Sequence, residues 1–237
     1  MKNFWENNLP SGYYDLIVRQ GIENNRGIQT CWHVLTYSKV CSFVEENMDH
    51  LDYACGPGTL IGRYTKARSI GVDLSHNQID YAVQNYDHSG DFVPLDNFHY
   101  RENQESFDVI TALGLFEYLN DEEILNLLDE FYFMLKENGK IIITTPNYGG
   151  LMYVLDKILN LIGPVDYGLQ NINKFSKKRL IQLINKSKFK SYKVTKFNTL
   201  FLFLSFINLN LGKKINNFIE QITKNKFGFL MLLEITK

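Results

Sequence analysis

Between residues 48 and 147, short apolar runs alternate with segments whose apolar positions recur every three or four residues. The runs are 49–54, Ser69–Leu74, Phe92–Leu95, Phe107–Leu113 and Lys140–Thr145, and each has the length and side-chain content of a strand. The third contains Pro94, which cannot donate to a ladder. Between the runs, a helix follows Thr59, and Ser75 is a good N-cap for a helix carrying Ile79, Ala82 and Val83. Asp121–Lys136 is amphipathic with acids in its first turn, and Gly139 is expected to end it. Strands alternating with helices at this spacing predict an α/β, doubly wound, mostly parallel sheet.

The flanks read differently. Residues 1–47 form an N-terminal cap, in which Trp5, Tyr13 and Tyr14 sit among Gly12, Gly21 and Gly27. A helix is predicted over Ile28–Asn47 from the spacing of Ile28, Trp32, Leu35, Val40 and Val44, with His33 beside the stripe. Residues 48–147 are the ligand-binding core. Residues 148–237 are the C-terminal part of the same domain, with predicted helices over Leu151–Leu161 and Lys174–Ile184, an edge strand over Phe189–Phe197 and a closing strand over Gly228–Ile235. Between those strands runs an apolar stretch from Leu200 through Ile222, interrupted by Ser205, Asn208 and Asn210. It is too short and too interrupted to span a bilayer, so it is buried, pairs with another chain or lies in a membrane interface.

Composition adds one asymmetry. Residues 1–170 hold 11 Lys and Arg against 24 Asp and Glu, whereas residues 171–237 hold 14 against 2. A basic last third favours phosphate, anionic lipid or another anion as neighbour, or is simply a solvated face beside an acidic body. Nucleic acid is not expected, because no recognisable RNA or DNA module or Asn/Asp-Pro-Pro-Tyr motif accompanies the charge. Cys31, Cys41 and Cys55 have neither disulfide-framework nor metal-ligand spacing, and MKNFWENNLP has no apolar stretch of the secretory kind; both point to a reducing cytoplasm and to no metal site.

The candidate chemistry begins where the first strand runs into Asp52-Tyr53-Ala54-Cys55-Gly56-Pro57-Gly58. Gly56 and Gly58 allow a sharp turn and a close backbone approach to a ligand. Asp73, ending the second strand before Leu74, can accept from ribose hydroxyls, and Asp96-Asn97 after the third can meet an adenine edge. A dinucleotide fingerprint would need a small residue at position 61, where Ile stands, and Pro57 removes an amide that a pyrophosphate could use. The turn therefore suits a nucleoside ligand without pyrophosphate.

Over about 51–147 the sequence resembles class I S-adenosylmethionine-dependent methyltransferases, on the glycine turn, Asp73, Asp96, Phe107–Leu119 and Gly139–Asn147. Tyr118 stands where many relatives have His. The resemblance implies a seven-stranded sheet whose last strand is antiparallel and inserted beside the fifth; the stretch between the last two strands is read as a helical insertion unusual for the family. It implies S-adenosylmethionine as cofactor, bound by Asp52, Ala54, Cys55, Gly56, Pro57, Gly58, Asp73, Leu74, Asp96, Asn97 and Ala112, with Tyr14 in a lid that also holds Tyr13 and Arg19. A small-molecule acceptor is expected, most simply a hydroxyl of a saccharide, lipid-linked or quinone-like compound. His33, His99, Glu117 and Tyr118 are the candidate bases, of which His33, Glu117 and Tyr118 are taken as the catalytic set. Residues 198–226 are expected to serve a peripheral membrane contact or a homodimer. A cofactor-binding regulatory or scaffold protein, or a membrane-binding module, would fit the same residues.

Overall fold

The computed structural model describes residues 9–155 and 171–237. Trp5 and the C-terminal part of the helix expected over Leu151–Leu161 lie outside the described residues. One seven-stranded sheet organises the chain: β1 Asp49–Tyr53, β2 Arg68–Asp73, β3 Asp91–Pro94, β4 Phe107–Leu113, β5 Leu135–Pro146, β6 Ser191–Phe197 and β7 Leu230–Thr236, in the order β3-β2-β1-β4-β5-β7-β6. The first five are parallel; β7 runs antiparallel between β5 and β6. Pro94 is the last residue of edge strand β3, where its missing N–H costs no ladder bond.

The helices with described bounds that flank the sheet are α1 Tyr13–Glu23, α2 Ile28–Val40, α3 Thr59–Tyr64, α4 His76–Tyr86, α5 Asp121–Met134, α6 Lys177–Ile184 and α7 Leu209–Ile222. Asn120 and Glu123 close a capping box at the start of α5, and Ile124, Leu127, Leu128, Phe131 and Met134 bury its apolar face. The largest core cluster gathers those residues with Leu51, Ile110, Ile141, Leu180 and Leu233.

The edge strand begins at Ser191 rather than Phe189, the closing strand runs Leu230–Thr236 rather than Gly228–Ile235, and three predicted helix boundaries change. Helix α2 stops at Val40 rather than Asn47, because the Ser42 hydroxyl and Cys41 thiol donate back to the carbonyls of Lys39 and Ser38, tightening the chain into a 3-10 turn, Cys41–Phe43. Val44 then folds into the core with Val40 and Leu60. Helix α5 ends at Met134, not at Gly139: Leu135 already pairs with Phe107, and the next ladder pair is Val109 with Lys140. The intervening bulge takes Asn138 into the left-handed region and lets Lys136 Nζ donate to Asp49 and Asp108, at 2.6 and 2.8 Å. Helix α6 starts at Lys177, where the Ser176 hydroxyl accepts from the Arg179 N–H.

The N-terminal cap is pinned to α4. Asp15, fully buried on α1, accepts from the hydroxyls of Tyr81 and Tyr86 at 2.8 and 2.7 Å. Gln78 accepts from the Gly12 N–H and donates to the Pro10 carbonyl.

Between β6 and β7 lie a 3-10 segment, Leu200–Phe206, and α7. Gly212 of α7 packs so closely on Ser205 that a Cβ there would come within 2.6 Å of its backbone nitrogen. The insertion is bonded to the α1–α2 loop, with the Gly27 N–H donating to the Ser205 carbonyl and the Leu209 N–H to the Asn25 carbonyl.

Candidate functional site

The predicted ligand-binding residues of β1, β2 and β3 gather at the C-terminal ends of these strands. After β1 the chain makes a tight turn, in which the Cys55 N–H donates to the Val72 carbonyl and the Gly58 N–H to the Cys55 carbonyl. Gly56 and Gly58 both have positive φ, and so does Ala54 at +63°. A Cβ on Gly58 would strike the Phe92 ring, whereas one on Gly56 would meet nothing within 4 Å. Bare backbone at Gly56 therefore faces open space, the feature a ligand approaching the main chain requires. Asp73 is already oriented at this turn: its carboxylate accepts from the Gly56 and Ser75 N–H groups, each at 2.8 Å.

Asp52 is buried, and the Thr111 hydroxyl donates to it at 2.6 Å. Burial, with the nearby Asp73 charge adding to it, pushes its carboxyl up to about 7, against the Thr111 hydrogen bond. Thr111 also contacts His50 Nε2 at 2.9 Å, and His50 Nδ1 contacts the Ser69 hydroxyl at 3.0 Å, so four polar side chains on one face of β2, β1 and β4 form a row. Burial drives His50 down to about 3, which keeps it neutral.

Glu117 sits in a 3-10 turn, Phe116–Tyr118, just past β4. Its carboxylate is buried, accepts from the Thr145 hydroxyl at 3.1 Å and is pushed up to about 7 by burial. The turn is held by its own carbonyl, which accepts from the N–H groups of Ile172 and Asn173. On α2, half-buried His33 stacks on Tyr37 and meets the edge of Tyr14, the ring centroids 5.9 and 5.2 Å apart. Burial lowers His33 to about 4, so it is neutral at physiological pH. Tyr37 in turn packs against Tyr64, giving a wall of four rings from the cap to α3.

The remaining predicted residues are placed unevenly. Leu74 and Tyr118 are half-buried beside Asp73 and Glu117 in sequence, and Cys55 is buried with its thiol raised well above its ordinary value by burial. Asp96 and Asn97 form an exposed turn after β3, where His76 Nε2 lies 3.0 Å from the Asp96 carboxylate. The Ala112 side chain is in the core cluster, so the structure does not bring it to the site surface. His99 is an exposed loop residue, and Arg19 lies on α1, 4.0 Å from Asp15. Sequence reading missed His50, Thr111, Tyr37 and His76. For Thr111 and His50 the available signal was a polar residue inside an otherwise apolar strand. Among the described residues no group of His, Cys, Asp and Glu could hold a metal ion.

A family profile described as a methyltransferase domain matches residues 32–194. The chain belongs to the methyltransferase-domain family. It is an S-adenosylmethionine-dependent enzyme, and its sheet order is the Rossmann-like one the resemblance implied. No curated protein sequence matches this methyltransferase. Among solved structures, it is similar to an S-adenosylmethionine-dependent methyltransferase from Archaeoglobus fulgidus, with a TM-score of 0.58 and 19% identity over 84% of this chain and 90% of that one. It is similar to magnesium protoporphyrin IX methyltransferase from Synechocystis with bound SAH, at a TM-score of 0.56 and 14% identity over 93% and 85% of the two chains. Geranyl diphosphate C-methyltransferase from Streptomyces coelicolor is a third, with a TM-score of 0.55 and 15% identity over 86% and 74%. At these identities the likeness is one of fold.

Proposed function

We propose that this methyltransferase methylates a hydroxyl of a small-molecule acceptor, of the saccharide, lipid-linked or quinone-like kind, with Glu117 as general base. Bound S-adenosylmethionine supplies an electrophilic methyl group. The chain's residues have to hold it, align the acceptor, exclude water and take one proton. Asp73, preset by the Gly56 and Ser75 amides, receives the ribose hydroxyls, while Asp96 and Asn97 meet the adenine edge. Gly56 and Gly58, with Ala54, Cys55 and Pro57, form the open turn, and Asp52 faces the ammonium group of the amino-acid end. Tyr14, with His33 and Tyr37, walls the side of the cap.

The observation that carries the acceptor class is Glu117. A buried carboxyl pushed up to about 7 sits where a base must sit to be ionised half the time at neutral pH and still hold a proton well. An acceptor that loses a proton needs such a group. His33, lowered to about 4, is a weaker base, and its two ring contacts favour a wall role. The basic last third favours acceptors that carry phosphate. The three cysteines are unpaired, as suits a reducing compartment.

The test is transfer from methyl-labelled S-adenosylmethionine to fractions of a cell extract, followed by identification of the labelled product. An oxygen-linked methyl group is expected, with Glu117→Gln slowing transfer about 100-fold while cofactor affinity is kept. A carbon- or nitrogen-linked product, or an unchanged rate in the variant, overturns the proposal.

A further inference from the structure

Helix α7 is packed with its polar side inward. Leu209, Gly212, Asn216 and Glu220, spaced by three and four, are its buried residues. Asn216 accepts from the N–H and hydroxyl of Thr199 at 2.7 and 2.8 Å and donates to Glu220 at 2.9 Å. Glu220 also accepts from the Asn198 N–H and from Lys39 Nζ, both at 2.8 Å. The opposite side carries Leu211, Phe218 and Ile222, all exposed, with half-buried Ile215 and Ile219 beside them. The preceding segment continues the exposure: Phe206 is 73% and Ile207 75% accessible, and Leu200 and Phe201 are exposed too. Of the three readings the sequence left open for this stretch, burial in the core is therefore excluded for its outward face, and no helix among the described residues is long and apolar enough to cross a membrane.

Charge selects the occupant. Residues 198–226 contain Lys213, Lys214, Lys224 and Lys226 and a single acid, Glu220, which is buried and paired with Lys39. Every accessible charge of this segment is thus positive. A second copy would bring the same lysines face to face, whereas an anionic surface neutralises them while the apolar stripe leaves water. An amphipathic helix with lysines at the margin of an apolar face is the form that lies in the plane of a lipid interface.

We infer that Leu200–Phe206 and α7 dock the protein on an anionic phospholipid membrane, with Phe206, Ile207, Phe218 and Ile222 entering the headgroup–acyl boundary and the lysines on lipid phosphates. The inward polar network holds the helix to the protein while it lies on the lipid. Its bonds to the α1–α2 loop, from Gly27 and Leu209, set the membrane surface beside the aromatic cap, so an apolar acceptor could pass from one to the other. The inference stands on this surface alone, independently of the acceptor proposal.

The intact protein is tested by flotation with phosphatidylcholine vesicles and with mixed phosphatidylcholine–phosphatidylglycerol vesicles. Binding is expected to the mixed vesicles and to fall with added salt. Phe206→Ser with Ile207→Ser should weaken it at least tenfold, and Lys213→Gln with Lys214→Gln by about fivefold per lysine. Phe206, Ile207 and Lys214 are exposed and Lys213 is half-buried, so the melting temperature and S-adenosylmethionine affinity of both double variants should match the wild type, which separates lost docking from lost folding. Absence of binding to the mixed vesicles overturns the inference, as does equal binding to neutral vesicles or binding indifferent to the Phe206 and Ile207 changes. A dimer in sedimentation equilibrium that the same changes dissociate, without vesicle binding, assigns the face to a second copy and overturns it as well.

Discussion

Two groups of buried acids divide the molecule. Glu220, in the C-terminal insertion, has all it needs: an ammonium group, a backbone amide and a side-chain amide within 2.9 Å. Among the described residues, Asp52 and Glu117, at the ends of β1 and β4, are paired with no cation: each accepts from a side-chain hydroxyl, Glu117 from a backbone N–H as well, and burial raises both to about 7. A saturated carboxylate fixes structure. An under-partnered one is held at a cost to folding, and the natural compensation is a ligand that brings the missing charge or proton.

Perturbing each acid should separate the two roles. Glu220→Ala leaves Lys39, Asn198 and Asn216 without their partner and should lower unfolding stability by about 3–5 kcal/mol in chemical denaturation. S-adenosylmethionine affinity at low denaturant should change little, because the insertion lies outside the strand-end turn; a parallel loss of affinity would show that the two regions are not separable. Asp73→Asn is the converse. It should weaken cofactor binding roughly 100-fold by calorimetry, since a charge-assisted acceptor of two ribose hydroxyls is lost, with a smaller effect on stability.

The pH responses should differ in sign from ordinary carboxylate behaviour. A group whose folded pKa is raised holds more proton folded than unfolded, so its contribution to stability is lost as pH rises from about 4 to about 7. Asp52→Asn removes that loss, and its melting temperature relative to wild type should climb across this window and level off above it. Binding a cationic cofactor end requires ionised Asp52, so wild-type affinity should weaken by about tenfold per unit as pH falls below 7, a slope absent from the variant. A pH-independent difference in melting temperature would remove Asp52 from this account. The smallest effect is expected at Ala54, an L-residue held at φ +63°: Ala54→Gly should stabilise the protein by about 1 kcal/mol with cofactor binding intact.

Much of the β1–β5 half was legible because each strand announces itself locally, and Asp52, Gly56 and Asp73 lie at strand ends that periodicity locates. Thr111 and His50 were not, although each is a plain polar interruption. Their meaning depends on register, with Asp52 opposite Thr111 and His50 opposite Ser69, and register joins residues 59 and 19 apart in sequence. Local competition decided other misses: Ser42 and Cys41 end α2 through hydrogen bonds that a helical pattern does not reveal. Helix α7 shows a different limit. The sequence shows only an apolar stretch with polar interruptions, and it takes the partners of Asn216 and Glu220 to establish that the polar side of the helix turns inward.

The row Asp52–Thr111–His50–Ser69 has a direction. Thr111 owns one hydroxyl proton, and when that goes to ionised Asp52 the threonine can only accept from His50, which fixes the imidazole proton on Nε2 and leaves Nδ1 to receive the Ser69 hydroxyl. If Asp52 is protonated and donates, the sense reverses: Thr111 gives to Nε2, Nδ1–H gives to Ser69, and Ser69 turns to the Ala67 carbonyl 3.2 Å away. Neutral His50 would then exchange one tautomer for the other without changing its charge. Its nitrogen resonances would read out, from beneath the sheet surface, whether the carboxylate at the strand end is ionised and its cofactor in place.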